Sequence, residues 1–344
     1  MRRNRDIYKL SICIPNYGRV KYLKNCLNSI FLAKSFSSLK FEICISDNCS
    51  KDNILPIINF YRKKKLLIKY NQNNKNLGFG ANFCKVVKMA TGEFIWVIGN
   101  DDLLYINALK ELDNLFSKNK DVNFFFINSS SLNSKFVFEH KQPFDTKKIP
   151  KNLENFSKIQ KNKKTKFFDL IDPSVSWDFL LGIFLTIYKR EKFIKNLHIL
   201  NKKKLNDARE WSTIDNTAPH VKVFTHAFKN SICYIQAKPL SINLFGEKEW
   251  SDKYPFIEII RIPDILDIYR RHGLPIIKYI QCKNFILKRF IPYIYLIIKN
   301  KKNSNYDYIN FKKHIMSNIF YPNIYIFSIY YLIKKIYTKL LKTY

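Results

Sequence analysis

Two adjacent carboxylates, Asp101 and Asp102, follow the apolar run Phe94-Ile95-Trp96-Val97-Ile98 and the turn residues Gly99-Asn100. Adjacent like charges are costly unless a cation compensates them. Carboxylate oxygens together with phosphate oxygens are the ligand set of Mg²⁺ or Mn²⁺. The pair also suits a helix cap with a neighbour in solvent. Earlier apolar runs end in polar groups of the same kind. Ile14-Pro15-Asn16-Tyr17-Gly18-Arg19 offers a proline that stops a ladder, a tyrosine able to stack on a base and a glycine that permits a turn. Ser46-Asp47-Asn48-Cys49-Ser50 offers an acid placed to accept from a base N–H or a ribose hydroxyl, or to cap the next helix. Asn71 to Asn82, with Gly78 and Gly80, is an asparagine-glycine loop in which the backbone can approach a ligand closely. It is neither the dinucleotide fingerprint nor the P-loop lysine motif, which argues against a NAD enzyme and a P-loop kinase.

The elements that must position these groups alternate from residue 10 to 127. Strands are predicted over Leu10–Pro15, Phe41–Ser46, Leu66–Tyr70, Phe94–Ile98 and Val122–Ile127, from short apolar runs ended by turn residues. Helices are predicted over Tyr22–Leu32, Ile54–Tyr61, Ala81–Ala90 and Ala108–Phe116, from apolar residues at helical spacing such as Phe83, Val86, Val87 and Ala90. This alternation predicts an α/β fold: a mostly parallel central sheet with helices on both faces. Ligands of such sheets bind beyond the carboxyl ends of the strands, where the polar groups above lie. Residues 128–170, opening with Ser129-Ser130-Ser131, are predicted to be an irregular connection or mobile excursion. Residues 171–255 read as mixed α/β, and 256–344 as helices.

In order and spacing, the proline-tyrosine, the aspartate, the asparagine-glycine loop and the paired aspartates resemble the inverting glycosyltransferases of family 2, which have the GT-A nucleotide-diphospho-sugar transferase fold. The resemblance covers about residues 9–127. Its most specific part combines Asn76–Asn82, Ala90-Thr91-Gly92-Glu93 and Gly99–Asp102. The Gly-Asn-Asp-Asp form resembles the branch that builds bacterial surface saccharides, including abequosyltransferase-like enzymes of lipopolysaccharide or capsule synthesis. The resemblance implies a nucleoside diphosphate sugar donor, a UDP-sugar first of all, and a saccharide or lipid-linked acceptor. Pro15 and Tyr17 would line the nucleotide pocket and Asp47 would contact the base. Asn76, Gly78 and Asn82 would shape the pocket around ribose and diphosphate. Asp101 and Asp102 would stand for the metal-binding motif, with Asp102 ligating Mn²⁺ or Mg²⁺. Asn100 departs from the aspartate that many members carry there.

The family's catalytic base lies well downstream, before a helix beside the acceptor, often as a Glu-Asp pair that is absent here. The corresponding stretch is Asn206 to Asn216, ahead of a helix predicted over Pro219–Phe228. Asp215 sits nearest the implied offset, with Asp207 and Glu210 as rivals. Trp211 could face a sugar ring or the core, and His220 suits a supporting place better than the base. The resemblance thus divides the chain into a nucleotide-sugar part of the GT-A domain (1–127), an acceptor-side part (128–255) and a helical C-terminal extension (256–344).

The chain has 344 residues, 47% of them hydrophobic, and a formal net charge of +33. That charge favours nucleic acid, anionic lipid or phosphate-bearing substrates without choosing among them. A metal-dependent nucleotidyltransferase would want a basic glycine-rich loop after the first strand, where Pro15-Asn16-Tyr17-Gly18 stands. A nucleic-acid-binding protein would want a recognition motif, and no specific nucleic acid is expected. The seven cysteines form no CxxC pair and read as buried thiols in a reducing compartment. The N-terminus shows no signal-peptide core, and no apolar run reaches the roughly 20 residues of a spanning helix. Residues 256–344 carry 16 Lys plus Arg against 4 Asp plus Glu. They interleave these with aromatic and aliphatic residues, as in Lys288–Tyr295 and Tyr330–Tyr337. This predicts either peripheral association with an anionic membrane, on the cytoplasmic side of the bacterial plasma membrane, or packing on the catalytic domain or in a homodimer.

Overall fold

A computed structural model describes residues 8–246 and 251–341. Residues 1–7, 247–250 and 342–344 lie outside the described residues. The first half alternates as its sequence pattern requires: β1 (Leu10–Asn16), α1 (Val20–Lys34), β2 (Phe41–Asp47), α2 (Leu55–Lys63), β3 (Ile68–Gln72), α3 (Phe79–Met89), β4 (Phe94–Val97), β5 (Asp102–Leu104), α4 (Ala108–Lys118) and β6 (Phe124–Asn133). There follow α5 (Ser134–Phe138), β7 (Lys163–Lys166), β8 (Thr186–Lys189), α6 (Arg190–Lys195), α7 (Lys202–Leu205), α8 (Ile214–Thr217), α9 (Pro219–Ala227) and β9 (Ile232–Phe245). The C-terminal part holds α10 (Tyr254–Phe256), a π-helical turn over Ile257–Arg261, α11 (Ile262–Arg271), α12 (Ile276–Ile286), α13 (Phe290–Lys299), a second π-helical turn over Phe311–Met316, and α14 (Pro322–Leu341).

The described strands form one nine-stranded sheet in the order β3-β2-β1-β4-β8-β6-β9-β5, with β7 also on β9. The chain is thus α/β, with helices around a central sheet and at the C-terminus. The part that carries the candidate site is parallel: β1 pairs in register with β2 and β4, and β2 with the edge strand β3. The inner strands are covered on both faces, and every residue of β2 and β4 is buried, whereas β3 is mostly not. Beyond β4 the sheet is mixed. β8 runs antiparallel to β4 and β6, β5 and β7 run antiparallel to β9, and β6 is parallel to β9.

The segment 128–170 is more ordered than its composition predicts. β6 continues through Ser129-Ser130-Ser131 to Asn133, so the boundary read at 127 falls inside a strand. Its serines and Asn128 are buried because they find partners: Asn128 Nδ2 donates to Ala237 O at 2.7 Å and Tyr105 Oη to Ser130 Oγ at 2.9 Å. Phe144, fully buried with Leu103, Leu132 and Val137 in a small second core, ties the excursion down. The boundary read at 255 falls inside α10, which continues without a break into the π-helical turn. No helix among the described residues is long and apolar enough to cross a membrane. The described cysteines are free thiols.

Candidate active site

The ends of β1, β2 and β4 meet through side chains rather than through apolar contact. Asn16 and Asp47 are partners in the β1–β2 ladder, and Asn16 Nδ2 donates to Asp47 Oδ1 at 2.9 Å. The Ser50 hydroxyl also donates to Asp47, and the Ser50 N–H reaches its other oxygen at 3.3 Å. Ser50 Oγ in turn accepts the Gly18 N–H at 2.6 Å. Asp47 is therefore fully buried, and it holds the two turns around Tyr17 together. Asn100 completes the network. Its amide donates to Asn16 Oδ1 at 2.8 Å and to Gly18 O at 3.3 Å. An aspartate could not make these donations, so asparagine at 100 has a structural use. Tyr17 is half exposed above this turn, and Phe79 is exposed at the start of α3.

The asparagine-glycine loop is stitched to the same edge. Asn48 Nδ2 donates to Asn76 Oδ1 at 2.7 Å, and Asn48 Oδ1 accepts from Leu77 N and Asn73 Nδ2. Asn82, also buried, accepts from Ser46 Oγ at 2.7 Å and donates to Ser46 O at 3.0 Å, which locks α3 onto the end of β2. Gly78 has a positive φ of 77°, a conformation costly for residues with a Cβ. By contrast, the block Ala90-Thr91-Gly92-Glu93 serves the opposite, amino end of the strands. Thr91 N donates to buried Glu42 at 2.6 Å, Gly92 N donates to Ser11 Oγ at 2.9 Å, and Glu93 pairs with Lys9 and Lys189.

The paired aspartates differ in their surroundings. Asp101 is ion-paired with Arg19, Nη1 to Oδ2 at 2.9 Å, and the Arg19 guanidinium lies 4.1 Å from the centre of the Tyr22 ring. Asp102 is almost fully buried. Its Oδ2 accepts the Gly99 N–H at 2.7 Å and its Oδ1 accepts Asn243 Nδ2 at 2.9 Å. Asp102 opens β5, whose antiparallel pairing with β9 sets Asp102 opposite Asn243. Two carboxylates at a strand end fit a divalent cation that arrives with a phosphate-bearing ligand, since Mg²⁺-type sites use one or two carboxylates and complete their shell with phosphate oxygens and water. Among the described residues no group of three or more His, Cys, Asp or Glu could hold an ion unaided. The charge around the pair extends to Cys26, whose thiol is pushed well above its ordinary range by burial and by Asp102 and Asp101.

The downstream segment reaches the loop from the acceptor side. A Cβ on Gly80 would stand 2.7 Å from the backbone of Asn216, and one on Gly78 would stand 3.7 Å from Asp207 O. Asp207 accepts both Arg209 Nε (3.0 Å) and Nη2 (2.7 Å), together with Ser212 Oγ, and these bonds hold its carboxyl far below the usual carboxylate range. Glu210 is exposed and ion-paired with Lys253. Asp215 is buried in the first turn of α8 and accepts Asn201 N at 3.1 Å and Lys222 Nζ at 2.8 Å. Trp211 packs partly on the core and its carbonyl accepts Arg261 Nε. His220 is buried on α9, where Nε2 meets Leu181 O at 3.0 Å and burial lowers its pKa to about 4. Asn16, Arg19 and Asn243, to which sequence reasoning gave no role, bond directly to the candidate residues Asp47, Asp101 and Asp102.

Residues 11–177 match the family model described as glycosyl transferase family 2. These residues thus form a glycosyl transferase family 2 domain. It is 39% identical over 114 residues to an abequosyltransferase of Salmonella typhimurium, a match covering 33% of this chain and 34% of that one. It is 35% identical over 104 residues to a poly(ribitol-phosphate) beta-N-acetylglucosaminyltransferase, TarS, of Staphylococcus aureus, covering 30% and 18%. The matches thus span about a third of the first relative and under a fifth of the second. In fold, the chain superposes on the crystal structure of S. aureus TarS 1–349 in complex with UDP-GlcNAc with a TM-score of 0.55 at 18% identity, covering 83% of this chain and 73% of that one. The family-2 domain therefore carries the GT-A architecture, with the candidate residues at the carboxyl edge of β1, β2 and β4.

Proposed function

We propose that the chain is an inverting glycosyltransferase of bacterial cell-surface glycan synthesis, moving a sugar from a nucleoside diphosphate donor, a UDP-sugar first, to a hydroxyl of a saccharide or lipid-linked acceptor. The observation that carries this reading is the carboxylate pair Asp101-Asp102 at the carboxyl end of β4, with Asp102 aimed by Gly99 and Asn243, beside the turns held by Asp47. Nucleotide recognition falls to Pro15, Tyr17, Asp47, Asn76, Gly78 and Asn82. Tyr17 offers a ring, and buried Asp47 and Asn82 act through the turns they fix.

Asp102, with Asp101, would hold Mn²⁺ or Mg²⁺ on the donor diphosphate; the ion, when bound, offsets negative charge on the departing nucleotide. The acceptor oxygen forms a bond to the anomeric carbon from the face opposite the diphosphate. The carbon–oxygen bond to the diphosphate breaks, and the acceptor proton passes to a carboxylate of this chain. Asp215 is the residue proposed for that proton, because its neighbour Asn216 makes the close approach to Gly80 in the nucleotide loop. Asp207 is engaged at two points by Arg209, and Glu210 stands exposed on Lys253. A lipid-linked acceptor would place the reaction at the cytoplasmic face of the plasma membrane.

The test is a binding and hydrolysis screen of UDP-, GDP- and dTDP-sugars with and without Mn²⁺, followed by assignment of the anomeric configuration of the product. A donor bound more tightly with Mn²⁺ and transferred with inversion is the expected result. Failure of every nucleotide to bind the folded protein would overturn it.

A further inference from the structure

We infer that the surface formed by α12, α13 and α14 docks the protein on an anionic lipid bilayer, whereas α11 is internal packing. The sequence left the whole of 256–344 open between these roles, and burial divides it. Ile262, Ile265, Leu266 and Tyr269 of α11 are buried in the main core. Acidic residues follow the same division. Glu258, Asp264 and Asp267 lie before residue 276, while residues 276–344 hold 13 Lys plus Arg against a single acid, Asp307.

Many apolar side chains from 276 onward face outward. Among the described residues, 19 of the 27 exposed large apolar side chains lie between Ile276 and Tyr337. Scattered exposed apolar residues are ordinary, but a concentration of this kind marks an interaction surface. α14 shows the pattern most clearly. Its first turns are anchored, with Ile324 buried and Asn323 bonded to Asn284 at 2.9 and 3.0 Å. Past that anchor, Ile326, Ile329, Leu332 and Ile333 recur at helical spacing on one side and are each about 60% exposed. α13, which packs against α14, repeats the pattern with Ile291, Tyr295 and Ile298. Arg289 ties the pair to the body of the protein through Tyr293 and Tyr331. The side chains of Lys335 and Ile336 lie outside the described residues.

Exposed aliphatics, tyrosines and lysines without acids match the boundary between lipid headgroups and acyl chains, where apolar bodies sink and cationic tips meet anionic headgroups. No described helix is long and apolar enough to span, so the contact is peripheral. The inference is independent of which sugar is transferred, and it supplies a surface for the lipid-linked acceptor proposed above.

The experiment is flotation of the full-length protein with vesicles of phosphatidylcholine alone and of phosphatidylcholine mixed with phosphatidylglycerol, at low and high salt. UDP affinity is measured on the same samples. Binding should require phosphatidylglycerol and fall about tenfold or more at high salt. Ile326→Gln, Ile329→Gln, Leu332→Gln and Ile333→Gln combined should abolish flotation with circular dichroism and UDP affinity unchanged. Full-length protein that stays unbound at low salt would overturn the inference. If sedimentation then shows a dimer lost in the same fourfold variant, the surface is a contact between copies of this chain. Loss of UDP binding with flotation intact would count against the transferase reading alone.

Discussion

Arg19 Nη1 stands 2.9 Å from Asp101 Oδ2, and neither side chain is more than a quarter exposed. Arg19 reaches this position from a left-handed backbone, φ 58°, at the start of α1. If the carboxylate pair holds a divalent ion as proposed, Arg19 would compete with that ion for Asp101.

Removing that guanidinium should leave Asp101 and Asp102 facing each other uncompensated. Arg19→Ala should therefore tighten Mn²⁺ binding in the absence of nucleotide by about fivefold, the equivalent of ~1 kcal/mol for a partly exposed pair. Donor affinity in Mn²⁺ should weaken. Calorimetric titration of Mn²⁺ into wild type and Arg19→Ala, without nucleotide, reads the effect directly. Unchanged or weaker Mn²⁺ affinity would mean that the pair only anchors α1.

Asp102 is the proposed metal ligand, and Asn243 bonds to it. Asp102→Asn should lower kcat/KM by roughly 100-fold or more through lost stabilisation of the leaving group. UDP affinity measured in EDTA should be unchanged. Asn243→Ala leaves the ligand in place but frees its orientation, so the Mn²⁺ concentration for half-maximal activity should rise about 10-fold or more. If Asn243→Ala behaves as wild type, the Asn243 bond does not aim the carboxylate.

The base is separable from its rivals by kinetics. Asp215→Asn should cut kcat by about 100-fold or more with donor affinity retained, while Asp207→Asn and Glu210→Gln should leave kcat within a few-fold. Gly80→Ala tests the approach that brings the segment in. Its Cβ would meet Asn216 backbone at 2.7 Å, so it should cost about 1–3 kcal/mol of stability in denaturant melts. A neutral Gly80→Ala would show that α8 is not seated against α3, and the argument for Asp215 would lose its basis.

How far the sequence disclosed this arrangement depends on where each residue's partners lie. β1 to α4 were legible to within a residue or two because buried parallel strands read as apolar runs and helices as spaced ones. Asp101, Asp102 and the glycine loop were legible because they end such runs. β5 was not, since three residues show no period, although it carries Asp102. Nor was Asn243, which lies 141 residues from Asp102 in sequence and becomes its partner only through the β5–β9 ladder. The strand through Ser129–Ser131 was hidden for a different reason. It is buried by virtue of hydrogen bonds, so no apolar pattern announces it. The helical C-terminus was legible as helix, but which of its helices are internal was not, because α11 and α12 both mix isoleucines with charged residues and only the packing distinguishes them.

The buried acids behind the site predict how stability follows pH. Glu258, in the π-helical turn, is 7% exposed. Burial pushes its carboxyl up to about 7, with Arg289 at 3.6 Å only partly opposing. Asp178, buried beside Ser176 and Gly182, is raised in the same way to about 6. A carboxyl whose folded pKa exceeds its unfolded value binds more protons in the folded state. It therefore lowers stability as pH rises from about 4.5 to about 7, and the whole penalty is present above that. His220 acts oppositely, since its depressed pKa removes stability as pH falls from about 6.5 to about 4. Across pH 4.5–6.5 the two carboxyls and His220 act in opposite directions, and Glu258→Gln removes one of the two carboxyl contributions. At pH 8 it should be more stable than wild type by at most about 3 kcal/mol, and at pH 4 the difference should vanish. Urea melts of both proteins at pH 4, 6 and 8 measure this. A Glu258→Gln variant clearly less stable than wild type at pH 8 would show that the ion pair with Arg289 outweighs the cost of burying the Glu258 charge.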